Sequence, residues 1–376
     1  MHKAISRFAI QFSLLLLIAT GAACQPQPTN IILLIGDGMG AQQVAAAGAF
    51  AGRPMAFEGF EHTGWMTTHS ADSPVTDSDA AGTAMATGYK VDNGLICLAG
   101  QMNPDYRAGD ELPTILERLQ ARGKATGLVT TTHMTHATPA AFAAHEPSRR
   151  NYDQIAADYL NQSRPDILLG GGGKGLTPAA ARQAGYTVVT DRAGMQAIGD
   201  DGRTVPKLSG QFGSGHMPFE HDGPDGYKTL PHLSEMTATA LKLLDNDPDG
   251  FFLMVEGGRI DHACHKNHIE RCVTETIEFD AAARKVLEWA AGRDDTLILV
   301  TADHETGGLK ILSSPDKGKM PRVSWSSKGH TAAAVPVYAT GPRARRFAGK
   351  LDNTQLIDRI MAPRVQMTRQ CTTCGP

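Results

Sequence analysis

The chain has no surplus of positive charge: 36 Lys and Arg against 39 Asp and Glu leave a formal charge of −3 over 376 residues. It offers no basic face of the kind a nucleic acid requires, so no nucleic acid is expected as a specific partner. It also lacks an apolar run long enough to span a bilayer, because the stretch from Phe8 to Thr20 stops well short of about 20 residues. The glycines Gly170 to Gly173 do not have the GxGxxG spacing, and no Walker lysine-serine pair follows them, which excludes a dinucleotide cradle or a P-loop there. Cys371 and Cys374 have metal-site spacing, but no second Cys or His pair accompanies them. A tail disulfide or free thiols are therefore expected rather than a zinc knuckle. No internal repeat is visible.

With 41% hydrophobic residues the chain can bury a large core, and its 40 glycines favour many tight turns. Lys3 and Arg7, the apolar run, and the small residues Gly21-Ala22-Ala23 before Cys24 read as an export signal peptide over residues 1–23. The mature protein is expected to be periplasmic or secreted. The alternative is a lipid anchor on Cys24, which Gly21 disfavours because a lipobox prefers Leu there. Residues 24–30 read as a linker and 31–376 as a single domain. Export permits disulfides, and the close pairs Cys264/Cys272 and Cys371/Cys374 are the candidates, leaving Cys97 or Cys24 without an evident partner.

Several apolar runs of strand length end abruptly in residues that can bind metal or phosphate. Ile31-Ile32-Leu33-Leu34-Ile35 runs into Gly36-Asp37-Gly38-Met39-Gly40, and the strand at 125–131 leads to His133, His136, Thr138 and then Arg149. Phe251-Phe252-Leu253-Met254-Val255 meets Glu256, followed by Asp261, His262 and His265, and Thr296 to Thr301 meets Asp303 and His304. His330 precedes a strand at 335–339. Buried strands of a parallel sheet read this way, and ligands collect at their carboxyl ends. Asp261 and His265 are at i and i+4, so a helix beginning near Asp261 turns both to one side, where they can share a metal ion. Singly, each residue has a structural explanation as a cap or a loop residue. Five strand ends supplying such side chains favour a metal site. His216 and His221 lie in a segment rich in Gly, Pro and His with no second ligand at useful spacing, and are expected to be exposed loop histidines.

Val75-Thr76-Asp77-Ser78-Asp79 precedes a run of small residues ending at Gly88, which reads as a short helix beginning at or beside Ser78. Ser and Asp at such a place commonly cap the helix. The same place aims backbone N–H groups at an incoming anion, and a neighbouring cation would make the serine a nucleophile.

From Ile31 to about Pro342 the chain resembles the alkaline phosphatase family. The motifs are Gly36-Asp37-Gly38-Met39-Gly40, Thr76-Asp77-Ser78, Thr135-His136-Ala137-Thr138-Pro139-Ala140, Val255-Glu256-Gly257-Gly258-Arg259-Ile260-Asp261-His262, Thr301-Ala302-Asp303-His304-Glu305-Thr306 and Gly329-His330-Thr331. The resemblance implies an α/β fold with a large, mostly parallel central sheet flanked by helices on both faces. It implies two Zn²⁺, one on Asp261, His265 and His330 and one on Asp37, Asp303 and His304, and one Mg²⁺ on Asp37, Thr138 and Glu256. Ser78 would be the phosphorylated nucleophile and Arg149 the guanidinium that binds two phosphate oxygens, oriented by Asp77. His136 and His262 would support metal-bound waters without ligating directly. The nitrogen- and carboxylate-rich sets suit zinc, and the all-oxygen set suits a hard ion. Only about two dozen residues separate His304 from His330, so the crown insertion is reduced and a homodimer is left open. The activity implied is hydrolysis of small-molecule phosphate monoesters. The alternatives are a phosphodiesterase or sulfatase of the same superfamily, or a non-catalytic periplasmic phosphate- or zinc-binding protein.

Overall fold

A computed structural model describes residues 28–361 except 102, 200–205, 224 and 315. The expected signal peptide, Cys24 and the pair Cys371/Cys374 lie outside the described residues. In chain order the strands are β1 (Asn30–Gly36), β2 (His62–Thr67), β3 (Ala125–His133), β4 (Ile167–Gly171), β5 (Thr187–Val189), β6 (Leu208–Gln211) and β7 (Phe251–Gly257). They continue with β8 (Thr296–Thr301), β9 (Glu305–Thr306), β10 (Leu309–Ser313), β11 (Arg322–Trp325), β12 (His330–Thr331), β13 (Val335–Thr340) and β14 (Gly349–Asp352). Ten of them form one sheet in the order β14-β2-β13-β8-β1-β7-β3-β4-β6-β5. β13 is antiparallel to both its neighbours, β2 and β8, and every other pairing in that sheet is parallel.

The unbroken apolar runs of β1, β7 and β8 are buried along their whole length, as strands covered on both faces must be. Two separate helix groups supply that cover. Leu233–Leu244 and Ile269–Ala290 pack on each other and on β7, whereas Ile115–Gln120 and Ala137–Ala143 pack on each other and also reach β3 and β7. Two groups that share a strand without meeting occupy opposite faces of the sheet. Ser78–Thr87 joins the second group through Ala137–Ala143; there a Cβ on Gly82 would stand 2.8 Å from Ala141 Cβ, so glycine permits the close approach.

Local departures from the sequence expectations have simple causes. The linker expected over 24–30 ends early: Thr29 N–H bonds Asp295 O at 2.7 Å and β1 already begins at Asn30. Among the described residues between His304 and His330 the chain makes the short β9 and the two-stranded antiparallel β10–β11. Cys264 and Cys272 are both buried free thiols, as is Cys97. Among the described residues no helix is long and apolar enough to cross a membrane.

Candidate active site

The parallel register brings the strand ends together. Ile35 pairs with Glu256 of β7 and Thr301 of β8, and Glu256 pairs in turn with Thr130 of β3. Asp37 and Asp303, each two residues past its strand partner, therefore emerge beside Glu256, and all three carboxylates are wholly buried. Gly38 permits this crowding: its φ is +70°, its N–H bonds Asp303 Oδ1 at 3.1 Å, and a Cβ there would stand 2.7 Å from Thr306 Oγ1.

Asp261, His265 and His330 form one group. The helix Arg259–His265 turns Asp261 and His265 the same way, as the i, i+4 spacing implies, and places His265 Nε2 3.2 Å from Asp261 Oδ2. His330, from β12, stands 3.6 Å from Asp261 Oδ1. His265 Nδ1 faces Lys328 O at 2.5 Å and His330 Nδ1 faces Thr76 O at 2.8 Å. A carbonyl oxygen can only accept, so each Nδ1 carries a proton and Nε2 is the nitrogen that each ring turns toward Asp261. These two Nε2 atoms are 3.1 Å apart. Two imidazole nitrogens and a carboxylate converging on one point form a set that can hold a cation.

His304 obeys the same logic. Thr306 Oγ1 donates its single proton to Asp261 Oδ1 at 2.5 Å, so toward His304 Nδ1, at 3.3 Å, it can only accept. The His304 Nε2 lone pair then faces Asp303 Oδ2 at 3.3 Å and Asp37 Oδ1 at 3.6 Å. Ser78 Oγ lies 3.1 Å from the same nitrogen. Ser78 is the first residue of its helix, capped by Asp77 Oδ1, which accepts from Ala80 N–H at 2.9 Å. The serine hydroxyl thus sits between the helix N-terminus and the carboxylate-imidazole group.

On the other side of Asp37, Glu256 Oε2 accepts hydrogen bonds from Thr130 and Thr132. Its Oε1, both Asp37 oxygens, Asp303 Oδ2 and Thr138 Oγ1 are buried with no hydrogen-bond partner among the described residues. Such orphaned acceptors are costly unless a cation satisfies them. The electrostatics agree. Burial, then the charges of Asp303, Asp261 and Glu256, raise the Asp37 carboxyl well above its ordinary range. Burial pushes Asp303 up to about 6 and Glu256 up to about 7. Burial also acts to raise Asp261, but the His265 hydrogen bond and the neighbouring imidazoles carry it below the ordinary range.

A family model described as alkaline phosphatase matches residues 28–321. The chain belongs to the alkaline phosphatase family. It is 32% identical to alkaline phosphatase 3 of Bacillus subtilis, over 89% of each protein. It is also 32% identical to the streptomycin-6-phosphate phosphatase of Streptomyces griseus, over 95% of this chain and 96% of that one. Among solved structures, the cold-active alkaline phosphatase of a psychrophilic Shewanella sp. superimposes with a TM-score of 0.78 at 31% identity, covering 88% of this chain and 98% of that one. The enzyme is thus a phosphomonoesterase of a metal-dependent family.

Two features of this alkaline phosphatase differ from the sequence expectations. Arg149 Nη1 is 3.5 Å from Asp79 Oδ2, whereas Asp77 spends its carboxylate on the helix cap; Asp79 is the direct partner of the guanidinium. Sequence reading missed Asp79 because the distinction between two carboxylates a residue apart depends on helix phase. The second is a cluster of histidine rings. His216, expected as a loop histidine, is exposed, yet its ring centroid lies 4.5 Å from that of His262 and 5.4 Å from that of His136. His136 itself comes within ligand distance of Asp37 and Glu256, closer than a purely supporting role requires. Its Nε2 accepts from Arg149 at 3.2 Å, and burial followed by the Arg149 charge keeps the ring well below its ordinary pKa, hence neutral. No spacing signal links His216 to His136, since 80 residues and three strands of chain order separate them.

Proposed function

We propose that the chain is an exported alkaline phosphatase that hydrolyses small phosphate monoesters through a phosphoserine on Ser78, with two Zn²⁺ and one Mg²⁺. The observation that carries this reading is the facing pair of His265 and His330 Nε2 atoms beside Asp261, adjoined by the orphaned oxygens of Asp37, Asp303, Glu256 and Thr138. Asp261, His265 and His330 would hold one zinc, Asp37, Asp303 and His304 the other, and Asp37, Thr138 and Glu256 the magnesium, with His136 close enough to touch its shell. When bound, these ions supply charge stabilisation for the attacking and leaving oxygens.

Ser78 Oγ gives up its proton to solvent and forms the new O–P bond in line with the ester oxygen, whose bond to phosphorus breaks and which takes a proton from water. Water then attacks the phosphoserine from the opposite side, the Ser78 O–P bond breaks to release inorganic phosphate, and a proton of that water returns to Ser78 Oγ. Arg149 offers a planar pair of N–H donors to two non-bridging oxygens, a geometry that favours a terminal phosphate over a diester. Asp79 holds that guanidinium, while the N-terminal N–H groups of Ser78–Thr87 face the developing charge.

The test is hydrolysis of p-nitrophenyl phosphate by the chelated protein before and after adding Zn²⁺ and Mg²⁺, beside the matching diester and sulfate ester. Activity restored by both metals, highest on the monoester and reduced at least about a thousandfold in Ser78→Ala, is the expected result. A dominant diester or sulfate rate, or an active Ser78→Ala enzyme, would overturn the assignment.

A further inference from the structure

We infer that Cys264 and Cys272 form a disulfide in the mature protein and that this bond staples the helix bearing Asp261 and His265 to the long helix Ile269–Ala290. The pairing of the two sulfurs stands on geometry; the oxidising surroundings in which they join, and the bond's effect on metal retention, rest on the function proposed above. Cys264 is in the last turn of Arg259–His265 and Cys272 in the first turn of the long helix. Their Sγ atoms are 3.1 Å apart, and both residues are fully buried. A disulfide bond is about 2.05 Å long, so a relative shift of about 1 Å joins them.

The connection between the helices presents the pair in this way. Asn267 turns through a left-handed φ of 52°. Its N–H bonds Cys264 O at 2.9 Å, and Cys272 N–H bonds His268 O at 3.0 Å. The staple also abuts the segment that follows His304. Gln43 Nε2 lies 3.9 Å from Cys264 Sγ and donates to Glu305 Oε1 and Thr306 O, each at 2.8 Å. Cys97 provides the contrast: it is equally buried, but its Sγ donates to Ala141 O at 2.9 Å, and its other sulfur contact is a hydroxyl, Thr83 Oγ1 at 3.7 Å.

The oxidant is a low-molecular-weight or protein disulfide, R–S–S–R. One cysteine attacks it, forming a mixed disulfide and releasing R–SH, and the other cysteine displaces the second R–SH. Two electrons pass from the cysteine pair to R–S–S–R, and the two thiol protons leave with the two R–SH molecules. Because both sulfurs are sealed in the folded protein, the exchange takes place while the two helices are still opening and closing during folding.

Trypsin separates the two cysteines, because Lys266 and Arg271 lie between them. The full chain is folded in a mixture of oxidised and reduced glutathione, its remaining thiols are alkylated, and it is digested without reduction. The expected product is residues 260–266 joined to 272–284, two hydrogens lighter than the separate peptides and released by reduction. Recovery of both peptides alkylated, or of either one joined to another cysteine, would overturn the bond. For the stapling role, Zn²⁺ release to a chelator is compared between the oxidised protein, the reduced protein and Cys272→Ser. About tenfold faster release without the bond is expected, and equal rates would overturn the role. The peptide result does not depend on activity, so it stands or falls separately from the phosphatase assignment.

Discussion

At the scale of single residues, the site is defined by which protons are already committed. Thr306 has one hydroxyl proton and gives it to Asp261, and that fixes the tautomer of His304; Lys328 O and Thr76 O do the same for His265 and His330. Arg149 is held between Asp79 and His136. Arg149→Lys keeps the charge but loses the paired donors, so KM should rise about tenfold or more with a smaller fall in kcat. Steady-state kinetics on p-nitrophenyl phosphate, with phosphate inhibition alongside, would show it; an unchanged KM would remove Arg149 from substrate binding. Most ligand-type residues were legible in the sequence because they follow an apolar run, whereas His330 precedes one. The choice of Asp79 over Asp77 was not, because it turns on which carboxylate the helix cap consumes.

At the scale of elements, β9 and β12 are two residues each, yet they align both histidine groups. His330 pairs with Thr306 and Thr331 with Glu305. Glu305 accepts from Gln43, Gly308 N, Leu309 N and Thr331, which anchors the small ladder to the helix Ala41–Ala51. Thr306→Val preserves shape and removes the hydroxyl. Zn²⁺ affinity should fall about 10- to 100-fold with an unchanged far-ultraviolet circular dichroism spectrum, and Thr306→Ser should restore most of it. Metal titration followed by competition with a chelator reads the effect; equal affinity for the valine variant would show that the hydroxyl does not set the His304 tautomer. The long parallel strands were readable as buried apolar runs. These two-residue strands were not, since they carry no period of their own and exist only through their pairing.

At the scale of the whole molecule, charge is sequestered inside a folded body that is nearly neutral overall. Glu275, on the buried side of the long helix away from the metal ligands, accepts the Glu220 N–H at 2.8 Å, and burial pushes its carboxyl from 4.5 to about 8. The native protein therefore binds a proton there that the unfolded chain has already lost. This contribution to stability is complete below about pH 4.5 and is lost as pH rises through about 8. In the metal-loaded protein, Glu275→Gln should flatten the decline in melting temperature between those limits, with the variant gaining on the parent most above pH 8. Parallel melting curves across that range would show no divergence if Glu275 stays ionised in the fold.

The sequence by itself determined the long buried strands, the order of their terminal ligands and the family, because a run such as Ile31-Ile32-Leu33-Leu34-Ile35 is buried on both faces when it lies inside a parallel sheet. The tertiary structure alone decided which oxygens are left without partners, which tautomer each imidazole adopts, and that His216 and Asp79 stand at the site. Those are properties of distances between residues remote in the chain. They are fixed by strand register and helix packing, which no local pattern encodes.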